Sequence, residues 1–198
     1  MAHEDHIAGE IELEEEGEQL DPEQQARRTA ALQLVRKFGD PALRSRAREV
    51  EVFDERLVDE VRRMGQIMHD AYGIGLAATQ LGVMHRVLVY RVEPDAPLAA
   101  LINPQLEWSG PETEVADEGC LSLPGVLVEV DRPVFVRVRA LDERGEPVLV
   151  EASGLEARVI QHEMDHLDGV LILDRTPRDQ RKQAMRVLRE AAEAAPVQ

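Results

Sequence analysis

The sequence predicts an α+β fold, with antiparallel β-sheets packed around a central helix that carries His162-Glu163-Met164-Asp165-His166, and a further helix at the C-terminus. Three observations carry this prediction. Short strand-like segments crowd the middle of the chain, one amphipathic helical pattern precedes them, and two helical patterns follow. Strands and helices therefore do not alternate singly, as a parallel βαβ sheet would require. No internal repeat and no second domain is visible. Residues 1–27 read as an acidic N-terminal extension, and residues 28–198 as a single domain that includes a C-terminal helix over 177–195.

The first 25 residues hold ten acids, no Lys or Arg and no aromatic residue. Such a stretch buries too little to fold alone and reads as disordered or loosely helical. His3 and His6 within it read as solvated. Arg27 to Arg36 fits either a strand or a helix. Phe38-Gly39-Asp40-Pro41 is a turn. Asp54 is an N-cap, and Leu57, Val61, Met64, Met68 and Ala71 recur at helical spacing behind it. The helix ends at Gly73-Ile74-Gly75-Leu76-Ala77-Ala78-Thr79-Gln80. Gly73, Gly75 and Ala78 mimic a dinucleotide fingerprint, but they follow a helix and precede a strand, which is the wrong order for it.

Val87–Val92 reads as a strand. Ala100–Pro104 reads as a short one ended by Asn-Pro, and Gln105–Trp108 as another. Val126–Val130 and Val134–Leu141 are strands, the second alternating apolar with polar residues. Asp142-Glu143-Arg144-Gly145 is a hairpin turn into Pro147–Ala152. The His162–His166 helix follows, with Gly169 as its stop. Pro177 opens the last helix.

Composition excludes several classes. Hydrophobic residues make up 43% of the 198, enough for a buried core. There is no apolar run near 18 residues, so no membrane span is expected. The acidic N-terminus resembles neither a secretory signal nor a transit peptide. One cysteine forms no internal disulfide, which fits a reducing cytoplasm. The net charge of −16 belongs mostly to the extension, since the remainder carries 29 acids against 23 bases.

The chemistry centres on H-E-x-x-H. On a helix, positions i and i+4 share a face, so His162 and His166 can reach one metal ion while Glu163 handles the protons of a bound water. A hydrolytic site needs a third protein ligand and keeps a fourth position for water. Cys120 is the natural third ligand, because a thiolate binds zinc, iron or nickel strongly. Gly119 before it permits close backbone approach. Rival readings fit less of the chain. A zincin-type protease needs a downstream His or Glu ligand; Glu190 and Glu193 exist but no His follows His166, and the Gly73–Gln80 and Cys120 blocks go unexplained. A thiol hydrolase with Cys120 as nucleophile leaves Glu163 without a role. A non-catalytic binder has no use for Glu163 either.

Three blocks, Gly73–Gln80, Glu118–Ser122 and His162–His166, resemble in order and spacing the signature motifs of the peptide deformylase family. The resemblance runs from about Ala31 to Ala192, and the last helix is similar to that of bacterial members. It implies a metal-dependent hydrolase that removes the formyl group from the N-terminal formylmethionine of nascent polypeptides and releases formate. It implies one divalent ion per chain on Cys120, His162 and His166, iron(II) in the cell, with zinc or nickel in purified protein. Gln80 and the Leu121 N–H would stabilise the developing oxyanion, and Glu163 would transfer the proton. Ile74 and Gly75 would pair with the peptide backbone, with Gly119 alongside. Leu155, Val159 and the His162 ring would wall the methionine pocket, with Arg158 on its rim. Glu118 would orient the loop. Asp165 would be a supporting or solvated acid and Asp168 a solvated one. Arg178, Arg181, Lys182, Arg186 and Arg189 share one side of the last helix, which in similar bacterial proteins docks on the ribosome. Cytoplasmic location, with neither DNA nor membrane as partner, completes the expectation.

Overall fold

The computed structural model describes residues 20–194. The expectations for residues 1–19, His3 and His6 among them, lie outside the described residues. The ambiguous stretch after them is a helix, α1 (Pro22–Leu34). Asp21 accepts from Gln24 N, Gln24 Oε1 accepts from Asp21 N, and Pro22 fills the first turn. This reciprocal cap starts the helix inside the acidic segment, so the boundary expected at residue 27 falls within α1.

Helix α2 (Glu55–Asp70) starts where the sequence places it. Asp54 accepts from Arg56 N and Leu57 N, and Leu57, Val61, Met64, Met68 and Ala71 are all buried. Seven strands follow: β1 (Gly75–Ala77), β2 (Val87–Tyr90), β3 (Ala99–Ser109), β4 (Thr113–Glu118), β5 (Val128–Pro133), β6 (Phe135–Leu141) and β7 (Pro147–Ser153). One antiparallel sheet has the order β1-β2-β3-β6-β7, and β4 pairs with β5 alone. Strand β2 is buried along its whole length. Val87 and Val89 pack towards α2, while Leu88 and Tyr90 pack towards helix α3 (Gly154–Leu167). A strand covered on both faces has no need of polar alternation, which explains the continuous run Val87-Leu88-Val89-Tyr90.

Two expectations need correction. The break at Asn103-Pro104 does not end a strand: β3 continues through it to Ser109. Asn103 takes φ of +54°, and the register against β6 shifts there. The bulge removes the need for a ladder N–H at Pro104. The Asn103 side chain accepts from Val50 N at 2.8 Å and donates to Val50 O at 2.9 Å, satisfying the neighbouring segment. Strand β4, in turn, is absent from the sequence reading. Thr113–Glu118 is polar and exposed over its first half, so no apolar periodicity marks it.

Helix α3 stops at Gly169, whose φ of +73° favours glycine. Helix α4 (Arg178–Ala194) lays Ala184 and Leu188 on a third apolar cluster with Val128, Val130, Cys120 and Leu171-Ile172-Leu173. Among the described residues, no helix is long and apolar enough to cross a membrane.

Candidate active site

Helix geometry places Arg158, His162 and His166 on one stripe of α3, at i, i+4 and i+8. Cys120 comes from a different element, the turn that follows β4. Its Sγ lies 3.2 Å from His166 Nε2, which lies 3.2 Å from His162 Nε2. The three ligand atoms all fall within 4.8 Å of one another. Donors around one tetrahedral zinc-sized ion stand roughly 3.3–3.6 Å apart, given bonds of about 2.0–2.3 Å. The residues therefore fit a divalent metal ion without rearrangement of the backbone. Cys120 and His166 are buried, and His162 is half-buried.

The orientation of His162 has a visible cause. Its Nδ1 lies 2.9 Å from Glu118 Oε2. Burial alone would push the Glu118 carboxyl up, but the hydrogen bonds from His162 and Arg132 prevail and hold it far below the usual carboxylate range. An ionised carboxylate only accepts, so Nδ1 carries the proton and Nε2 offers its lone pair. Arg132 forks onto Glu118, with Nε to Oε1 at 2.6 Å and Nη2 to Oε2 at 2.9 Å. Its Nη1 reaches Asp165 Oδ2 at 2.9 Å, and Arg175 holds the other side of Asp165. Asp165 is thus a buried ion-pair partner. Asp168 pairs with Arg86 at 2.7 Å, so it is not simply solvated.

Sequence reasoning missed Arg132, yet a signal for it exists. Val128, Val130 and Arg132 fall in one phase of β5 and point inward, with Glu129 and Asp131 outward. An arginine in phase with two core valines announces a buried partner. Lys37 was missed as well; its Nζ donates to the Leu121 carbonyl at 2.7 Å and steadies that peptide unit.

A cleft opens beside Cys120 and His162. Ile74, Gly75, Gln80, Glu118, Gly119, Leu121, Val159 and Glu163 line it with them, and Arg158 does too; His166 is not in the lining. Leu155 is not among the lining residues; it is half-buried against the core beside Val159. Arg158 is not on a rim: it is only 3% exposed. Gln80 Oε1 accepts from Ala77 N at 2.8 Å, which turns the amide nitrogen towards Cys120 Sγ and Ser122 Oγ, at 3.7 and 3.3 Å. Glu163 Oε2 is buried with no partner among the described residues, and burial pushes its carboxyl up to about 7 against the pull of His162 and Arg132. A methyl group on Gly75 would sit 2.5 Å from Glu163 Oε1 and 2.9 Å from Val159 Cγ1, so the strand edge can approach the carboxylate only as glycine.

Known proteins share this architecture. The sequence profile of the polypeptide deformylase family matches residues 32–182. The peptide deformylase of Acidothermus cellulolyticus is 48% identical over 161 residues, which cover 81% of this chain and 88% of that protein. That of Thermotoga maritima is 49% identical over 141 residues, 71% of this chain and 85% of the relative. Its crystal structure superposes with a TM-score of 0.70, at 48% identity, covering 72% of this chain and 96% of that one. The Synechococcus elongatus peptide deformylase in complex with actinonin gives a TM-score of 0.75 at 43% identity, covering 77% and 85%. A family match spanning three quarters of the chain and relatives about half identical over most of their own length agree: this chain belongs to the peptide deformylase family.

Proposed function

We propose that this chain removes the formyl group from N-terminal formylmethionine of nascent polypeptides, and that Cys120, His162 and His166 hold the metal for it. The observation that carries the assignment is the convergence of one sulfur and two imidazole nitrogens within 4.8 Å, beside the unpartnered oxygen of Glu163. A divalent cation in this position supplies Lewis acidity and a nucleophilic hydroxide at neutral pH. Iron(II) is the ion we assign in the cell, with zinc or nickel competent to replace it, since a thiolate with two imidazoles suits all three.

The protein groups then divide the work. Gly75 begins β1, the outermost strand of its sheet, and Ile74 precedes it; an extended peptide can add along this edge as a further strand. Gly119 lines the same cleft. Val159 and the His162 ring form the apolar wall for the methionine side chain. Gln80 and the Leu121 N–H face the formyl oxygen as charge develops there; losing one such donor typically costs about 100- to 1,000-fold in rate. Glu163, desolvated and with its Oε2 unpartnered among the described residues, accepts the proton of the attacking water and passes it to the leaving amine.

The test is formate release from formyl-Met peptides by anaerobically purified protein, with acetyl-Met peptides as control. Turnover of the formyl substrate alone supports the reading, and cleavage of internal peptide bonds instead would sink it. Location is assigned to the cytoplasm, as the single cysteine suggests. Helix α4 is assigned a docking role. Arg178, Arg181, Lys182, Arg186 and Arg189 line one open face, and the ion pair on this face among the described residues is Arg181 with Asp174 at 3.8 Å. Phosphate of ribosomal RNA is the matching partner. Ribosome co-sedimentation at low salt should fall when residues 178–198 are removed; unchanged co-sedimentation removes the docking role.

A further inference from the structure

Arg158 is a buried cation in the lining of the cleft, beside Val159, and substrate binding gives it no task. Its hydrogen bonds all go to β4 and β5. Nη1 donates to Glu118 Oε1 at 3.0 Å and to the Val130 carbonyl at 2.8 Å. Nη2 donates to the Glu114 carbonyl at 2.7 Å. Glu114 and Glu118 belong to β4 and Val130 to β5, so one side chain of α3 holds both strands of the β4–β5 hairpin. That hairpin stands alone as a two-stranded sheet, and both of its strands are edges whose carbonyls need outside partners.

The placement matters because the metal ligands come from these two elements. Cys120 follows β4 by two residues, and His162 and His166 sit one and two turns beyond Arg158 on α3. Nothing covalent fixes the hairpin against the helix. Glu118 has about four acceptor sites. They are filled by two bonds from Arg132, one from His162 and one from Arg158. Arg132 forks onto Glu118 within its own hairpin and reaches α3 at Asp165, while His162 and Gln161 of α3 each bond one strand, at Glu118 and Pro133. Arg158 is the α3 side chain that, among the described residues, bonds both strands at once.

We propose that Arg158 is a positioning residue that locks the hairpin bearing Cys120 onto the helix bearing His162 and His166, and so keeps the three ligand atoms in register for the metal. It acts through Glu118 and two backbone carbonyls and touches no reacting atom. A planar fork with several donors is needed, because a lysine ammonium is a point charge that reaches fewer of these three acceptors well. The inference rests on the Cys120–His162–His166 metal site proposed above.

The experiment follows metal release from the holoenzyme to a chromogenic chelator, using nickel-loaded protein. Arg158→Ala should release the ion about 10- to 100-fold faster than wild type, the range found when partners of metal ligands are removed. Arg158→Lys should fall between the two, and it serves as the main variant if Arg158→Ala does not yield folded protein. Arg158→Ala combined with Glu118→Gln should release metal more slowly than the product of the single effects, since both loosen the same contact. The kcat/KM ratio between formyl-Met and formyl-norleucine peptides should not change in Arg158→Lys. Wild-type release rates in both Arg158 variants, or a changed substrate ratio with unchanged release, would overturn the proposal and make Arg158 a wall of the pocket. Wild-type protein that binds no metal would instead overturn the ligand assignment on which the proposal rests.

Discussion

The two halves of the proposed metal site are built by different rules. On the α3 side, four residues of regular helix bring His162 and His166 to one face, and the hairpin adds a single bond, from His162 Nδ1 to Glu118. On the hairpin side, the sulfur is carried by a turn that follows β4. Its place depends on side chains: Arg132 across the hairpin, Arg158 from the helix and Lys37 on the following carbonyl. The first half tolerates substitution of its neighbours as long as the helix forms. The second is held by buried charge, and removing one partner there exposes another.

Mutations can break or sharpen this contrast. The largest effect is expected at Glu163, which serves neither half as a support. Glu163→Ala should retain the metal but lose about 100- to 10,000-fold in kcat/KM, measured by formate release with elemental analysis of the same sample. Next comes Arg132→Ala. It takes two of the four bonds from the buried Glu118 and one from Asp165, and denaturant unfolding should show a loss of about 3 kcal/mol. Gly75→Ala places a methyl group against Glu163 Oε1 and Val159. Displacing the carboxylate by an ångström should cost about 100-fold in kcat/KM with metal content unchanged.

Acidity gives a fourth test. Glu163 must be ionised to take a proton, and without an ion burial holds it at about 7. A bound cation pulls it down, so the acid limb of kcat/KM for the loaded enzyme should lie below 7. In the metal-free chain the raised value acts on stability in the opposite sense to the usual carboxylate. The fold binds the proton more tightly than the unfolded chain, so stability falls as pH rises from the ordinary carboxylate range towards 7, and Glu163→Gln should remove that slope. The smallest effect concerns α2, remote from both halves. Asp54→Ala removes the cap on Arg56 N and Leu57 N and should cost about 1 kcal/mol in thermal unfolding without touching activity.

What was legible in the sequence follows the same division. Asp54 and its buried stripe, Gly169 as a stop, and His162 with His166 are all set within a few residues of chain, and each stands where spacing places it. Arg158 was misjudged because a charged residue beside an apolar pocket reads as rim until its partners, 28 to 44 residues away, are seen. Asn103-Pro104 read as a strand end because the bulge that rescues it depends on Val50. Strand β4 has little core of its own and exists through its pairing with β5. Long-range polar contacts leave no periodic mark in the chain, and the hairpin half of the site consists largely of such contacts.

The central claim is a ligand set of one sulfur and two imidazole nitrogens. X-ray absorption at the metal edge of anaerobically purified, loaded protein reads that set directly. The account predicts one sulfur scatterer at about 2.3 Å, imidazole nitrogens at about 2.0–2.1 Å, and loss of the sulfur shell in Cys120→Ser. A first shell of nitrogen and oxygen alone in the wild-type protein would contradict it.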